Sequence, residues 1–233
     1  MAELTVENLQ EIRTRIEKLG LPDSFFEAAK QEAEKAIQAH FYVGRTIMLD
    51  QEPVKIFLGF QEYRPWRFVQ DLLGLSLRPG RDNVLDRNTF FLLPDNPFSV
   101  REAYNMMKGR AVHRHSRLFG DEDYWMKLNT KKLYSGAAMP EMVNSNLNIR
   151  RWMEKSPLEP LLNPVQKVMI AWDLQGGNRV DLGGYLGKHA RGMYLQTDPE
   201  RNQVEVRDEN RKVLDIREVI GQQLPGQSHQ RRI

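Results

Sequence analysis

Between Phe41 and Pro94 four short runs rich in β-branched and aromatic residues follow one another: FYVGRTIML, VKIFLGFQEY, RFVQDLLGLSL and NTFFLLP. Turn-forming pieces at Asp50 to Pro53, Arg64-Pro65 and Pro79-Gly80 part them, so the segment reads as a four-stranded antiparallel meander. The runs are more continuous than alternating, which predicts a sheet with one face covered. The cover comes from just upstream. Leu9, Ile12, Ile16 and Leu19 fall on the three- and four-residue spacing of one helix face ahead of Gly20. A second helix begins near Pro22, where Ser24 and Glu27 have capping-box spacing and Phe25, Phe26, Ala29, Ala33, Ala36 and Ile37 are apolar. The tight LGLPD turn between them makes a helical hairpin.

Beyond Pro97 the pattern changes again. Ser99 and Glu102 have capping-box spacing ahead of Val100, Ala103, Met106 and Met107, with Gly109 to end the helix. Arg110 to His113 and Tyr124 to Leu128 read as a strand pair, and the polar stretch from Lys131 to Asn148 as an ordered or partly mobile loop. Helices are predicted from Ile149 to Lys155 and after Asn163-Pro164, the second carrying Val165, Val168, Met169, Ala171 and Trp172. NRVDLGGYLG, ARGMYLQT and NQVEVRD read as strands, followed by a short element around Val213 to Ile220. The fold class expected is α+β: an N-terminal helical hairpin with an antiparallel meander, then helices packed on a second antiparallel sheet. Residues 1–96 and 97–220 would be its two parts, with 221–233 a disordered tail.

A chain of 233 residues and 27.2 kDa can bury roughly 70% of its unfolded surface, enough for one sizeable core or two small ones. It has no cysteine, which excludes disulfides, thiolate metal sites and a cysteine nucleophile together. No run of about 18 apolar residues occurs and the N-terminus lacks signal-peptide order, so a cytoplasmic protein without membrane contact is expected. The net charge of +3 is unevenly spread. Residues 101–155 hold 11 basic and 6 acidic side chains, whereas residues 1–40 hold 5 and 8. Within the basic stretch Arg110, Arg114, Arg117, Lys127, Lys131, Lys132, Arg150 and Arg151 are interspersed with Tyr104, Phe119, Tyr124, Trp125 and Trp152. Arginine and lysine meet phosphates and an exposed aromatic stacks a base, so these eight are the candidate nucleic-acid-binding residues. A solvated charged face over buried tryptophans is the alternative.

Other chemistry finds less support. Gly183-Gly-Tyr-Leu-Gly187-Lys188-His189 resembles a phosphate loop but has three residues between the glycines where four are needed, and a histidine where a hydroxyl is needed. Flanking strands predict a hairpin turn there. His113 and His115, with Asp121, Glu122 and Asp123 nearby, have metal-ligand chemistry, but Arg110, Arg114 and Arg117 oppose a cation and pair more simply with the acids. There is no G-x-S-x-G and no H-E-x-x-H, so no catalytic residue, cofactor or metal is assigned.

SVREAYNMMKGRAVHRHSRLFGDEDYWMKLNTKK, with Glu102 to Asn105, Gly109 to Val112 and Tyr124 to Leu128, resembles a domain family of unknown function found on conjugative mobile elements of Bacteroides-type bacteria. Asn163-Pro164, Gly177-Asn178, Gly187-Lys188, Tyr194 to Pro199 and Val204 to Asp208 are similar to its C-terminal half, so the likeness covers most of the chain. Leu128-Asn-Thr-Lys and the loop after it depart from the family's longer lysine-rich segment. Some members of the family are fused to topoisomerases. The resemblance implies a place near DNA processing without assigning a reaction; with the basic surface between Arg101 and Lys155 the expected function is a non-enzymatic accessory module that binds DNA or a DNA-processing protein complex. The alternative is a protein-interaction or scaffold module acting through a sheet edge or apolar surface, without nucleic acid; a homodimer is a candidate assembly.

Overall fold

The computed structural model describes residues 5–35, 39–64, 67–77, 86–92, 98–116 and 122–221. Arg117 and the expected tail beyond residue 221 lie outside them. The fold is α+β, and the chain forms two compact units: Met1–Gly109 with Leu128–Glu141, and Arg110–Lys127 with Met142–Ile233.

In the first unit α1 (Val6–Lys18) and α2 (Asp23–Lys35) form the expected helical hairpin. Thr5 caps α1 by accepting from the Asn8 amide, and Gly20 turns the chain with a φ of 74°. Ile12, Ile16, Phe25, Ala29 and Ala33 are buried against one face of the sheet. That sheet runs in order β1 (His40–Leu49), β2 (Glu52–Arg64), β3 (Arg67–Ser76) and β4 (Arg87–Phe91), every pair antiparallel. Its inward residues include Phe41, Val43, Ile56, Leu58, Leu73 and Phe90, with Phe41 stacked on Phe60 at 4.7 Å. Asn8 ties α1 to the start of β3. Its Nδ2 donates to the Phe68 carbonyl at 3.0 Å while Oδ1 accepts from the Phe68 amide at 3.1 Å.

α3 (Val100–Met107) begins with the expected capping box: Ser99 Oγ accepts from the Glu102 amide, and the Glu102 carboxylate accepts from the Ser99 amide at 2.8 Å. The stretch from Lys131 does not form the loop expected of it. β6 (Glu122–Tyr134) continues through it and returns as β7 (Ala137–Val143), because Ser135 and Gly136 take φ of 48° and 80° and make the tight turn that joins twisted strands. The buried Asn88 of β4 holds this hairpin, donating from Nδ2 to the Ala138 carbonyl at 3.1 Å and accepting from its amide at 2.8 Å.

In the second unit β5 (Val112–Ser116) pairs with the first half of β6, setting His113 opposite Trp125 and His115 opposite Asp123. α4 (Ile149–Lys155) and α5 (Pro164–Gln175) follow, α5 opening with Pro164 and a capping box between Asn163 and Gln166. A small sheet runs β11-β10-β9-β8, built from β8 (Val180–Asp181), β9 (Tyr194–Asp198), β10 (Gln203–Arg207) and β11 (Val213–Leu214). α7 (Ile216–Gly221) closes the described chain. Trp125, Met153, Ile170, Leu174, Leu195 and Val206 belong to one buried cluster, and the Trp125 indole donates to the Leu147 carbonyl at 3.1 Å.

The expected strand hairpin around Gly183 is also corrected. Only Val180–Asp181 is strand, after which Asp181 Oδ1 accepts from the Gly183 amide and starts the one-turn helix α6 (Gly183–Leu186). The aspartate competes with the ladder for that amide, and short polar side chains do this readily. Among the described residues no helix is long and apolar enough to cross a membrane.

Candidate interaction surfaces

Of the eight basic residues singled out by sequence, the seven within the described residues divide between the units. Lys131 and Lys132 fall in the first; Arg110, Arg114, Lys127, Arg150 and Arg151 fall in the second. Arg110 is 7% exposed, and Arg114 is half-buried on β5 opposite Tyr124. Lys127 Nζ lies 3.2 Å from Glu200, and Lys132 Nζ 3.2 Å from Glu141. Hydrogen bonds from Asn129 and Lys132 hold the Glu141 carboxyl below the usual range. Exposed pairs of this kind are screened by solvent and weak, so a phosphate can compete for the lysines. Lys131, Arg150 and Arg151 are exposed, without an ion-pair partner among the described residues.

His113 and His115 point to one face of the β5–β6 ribbon, as the two-residue repeat of a strand requires. His115 Nδ1 is 3.0 Å from Asp123 Oδ1, and the His113 ring meets the Trp125 indole edge-on at 5.0 Å. Burial pushes the His113 imidazole below its ordinary pKa; the Asp123 charge opposes this and His115 adds to it. With Asp123, Ser145, Asn146, Asn148 and Gln175, His113 lines a polar cleft of about 460 Å³. The Ser145 hydroxyl donates to Asn202 Oδ1 at 3.1 Å and accepts from the Leu147 amide, so it is held as a loop brace. Among the described residues no group of three or more His, Asp or Glu side chains is gathered to hold a metal.

α5 presents a different surface. Ile170, Ala171 and Leu174 face inward, yet Val165 (66% exposed), Val168 (47%), Met169 (49%) and Trp172 (67%) form a second apolar line on its open side. Their spacing of three, one and three places all four on one stripe. Neither a family model, a curated protein nor a solved structure matches the chain. Function is therefore read from the surfaces themselves. Beside the α5 stripe runs a groove of about 460 Å³ floored by Met153, Val168, Ala171 and Trp172. Its rim carries both signs, with Arg150, Glu154 and the Lys167–Glu159 ion pair.

Sequence reasoning identified these four residues as helical apolar positions without showing that they face out. The available signal was that α5 is apolar on more than one side, since Ile170 and Leu174 fall on a different stripe from Val165 and Trp172.

Proposed function

We propose that this chain is a non-enzymatic interaction module that pairs with a second copy of itself through the open face of α5. The observation that supports this is the exposed stripe of Val165, Val168, Met169 and Trp172. An isolated exposed valine is ordinary, but four apolar side chains in line, with a tryptophan among them, mark an interaction surface.

A second copy suits the stripe because its order is self-complementary. When two such helices cross antiparallel on a two-fold axis, Val165 meets Trp172 of the copy and Val168 meets Met169, small against large. The helix dipoles then oppose favourably, and the mixed charges at the rim, Arg150 and Glu154, can face their opposites. Each open side chain offers on the order of 100 Å² of apolar surface, so the stripe and groove make a contact at the small end of specific interfaces and a dissociation constant of roughly micromolar order. The family resemblance would place the dimer as an accessory in a DNA-processing assembly of a mobile element.

Sedimentation velocity from about 1 to 100 µM tests the reading. The wild type is expected to shift from monomer toward dimer, and Trp172→Glu to remain monomeric with an unchanged circular dichroism spectrum. A monomer throughout, or a dimer that Trp172→Glu leaves intact, overturns it.

A second reading, in which the basic stretch meets DNA directly, is favoured by Arg150 and Arg151, neighbours on α4 that are open and unpaired among the described residues.

A further inference from the structure

The face of the β1–β4 sheet turned away from the α1–α2 hairpin can be read row by row from the strand register. His40, Gln61 and Val69 form one row; Tyr42, Gly59, Leu72 and Phe91 the next; then Gly44, Phe57, Gly74 and Thr89; then Thr46, Lys55, Ser76 and Arg87. Aromatic residues alternate with glycine across neighbouring strands. A β-carbon on Gly59 would stand 3.2 Å from Tyr42 Cε1, and one on Gly44 3.2 Å from Phe57 Cδ1. The two rings therefore lie over the glycines, Tyr42 open to solvent and Phe57 half-buried. Tyr42 is 60% exposed and Phe91 46%.

The charge on this face has one sign. None of the positions in the four rows is a carboxylate, whereas Lys55 and Arg87 are exposed and have no ion-pair partner among the described residues. Lys55 Nζ stands 4.8 Å from the centre of the Phe57 ring, which joins a cation to the platform. His40 meets Tyr42 edge-on at 5.8 Å. Asp71 occupies the β-bulge, outside the rows, and burial raises its pKa. On the far side Phe91 touches Tyr134 of the β6–β7 hairpin, the hairpin that also carries the open Lys131.

We propose that this sheet face binds single-stranded nucleic acid, with Tyr42 and Phe57 stacking unpaired bases and Lys55 and Arg87 meeting the phosphates. Aromatic rings beside cations, on rows that hold no carboxylate, suit a polyanion whose repeating unit has a flat π surface. Tyr42 and Phe57 are diagonal neighbours on adjacent strands, about 7–8 Å apart, a separation that successive splayed bases can bridge. A duplex keeps its bases stacked internally and cannot use the rings. An acidic protein would satisfy the cations but leave the ring faces without a matching partner.

Fluorescence anisotropy at low salt, with labelled oligo-dT, oligo-U and a DNA hairpin duplex, tests the proposal; the first two distinguish DNA from RNA. Expected are micromolar binding to at least one single strand, much weaker binding to the duplex, and an affinity that falls as salt rises. Tyr42→Ala is expected to lower affinity by roughly five- to a hundredfold, while Tyr42→Phe retains it. Lys55→Gln is expected to reduce the salt slope by about 0.7, the share of one phosphate on a single strand. Circular dichroism of each variant separates loss of binding from loss of folding, and the Lys55→Gln slope supplies a second reading, from charge. Absence of single-strand binding at about 50 µM, equal binding to the duplex, or folded Tyr42→Ala and Lys55→Gln proteins that both bind like wild type would overturn the proposal.

Discussion

Replacing Asn88 with alanine removes both hydrogen bonds that hold the β6–β7 hairpin at Ala138. Ala138 is fully buried, so its amide and carbonyl would be left without partners where water does not reach. Each orphaned group costs about 1–3 kcal/mol, giving a loss of roughly 2–5 kcal/mol once the small void is included. For a chain of this size that corresponds to a fall in Tm of about 5–15 °C. Urea unfolding would measure the loss, and hydrogen exchange at the Ala138 amide would locate it. Asn88→Asp is the sharper companion. Its carboxylate still accepts from the Ala138 amide but opposes the carbonyl, and only the protonated acid can donate there. Its stability relative to wild type should therefore recover in part as the pH falls toward the carboxyl pKa. A loss below about 1 kcal/mol in Asn88→Ala, or an Ala138 amide that stays protected in it, would refute this account.

Two further outcomes follow from local features. Burial lowers the folded-state pKa of His113 below its ordinary 6.5, so the unfolded chain binds more protons between those two values. The stability contributed by the neutral ring is full above pH 6.5 and declines as pH falls toward the folded pKa; a Tm series from pH 7.5 to 5 should be less steep in His113→Gln. Gly136 has a φ of 80°, and Gly136→Ala should cost about 1 kcal/mol or more in urea unfolding, whereas Gly184→Ala, with open space around its β-carbon position, should cost less.

The helical hairpin and meander were legible because their signals are periodic and local: Ile12 and Ile16 lie on one helix stripe, and turn residues part the strands. The capping box at Ser99 depends on residues three apart, and the structure contains it, whereas Ser24, expected to cap the second helix, lies inside α2, which already starts at Asp23. What the sequence hid was long-range or competitive. Asn8 and Asn88 read as ordinary polar residues, yet each joins backbone groups 60 and 50 positions away in the chain. The hairpin beyond Lys131 was concealed by its polar residues, because β6 turns mostly exposed side chains outward over that half. At Gly183 a strand expectation lost to Asp181, whose side chain takes the amide a ladder would have used. The basic stretch was visible as composition, but composition does not show that Arg110 is buried or that Lys127 faces Glu200.

The division of the chain at Gly109, again within β6 between Lys127 and Leu128, and again after Glu141, means that neither unit is a continuous stretch of sequence. No single cut yields an excisable piece. A fragment ending at residue 109 would carry Asn88 without the Ala138 backbone it binds, and a fragment beginning at residue 110 would include the β6–β7 hairpin without Asn88. β6 is thus a thread common to two fabrics, and synthesis of the first unit is finished only after the second has begun to leave the ribosome.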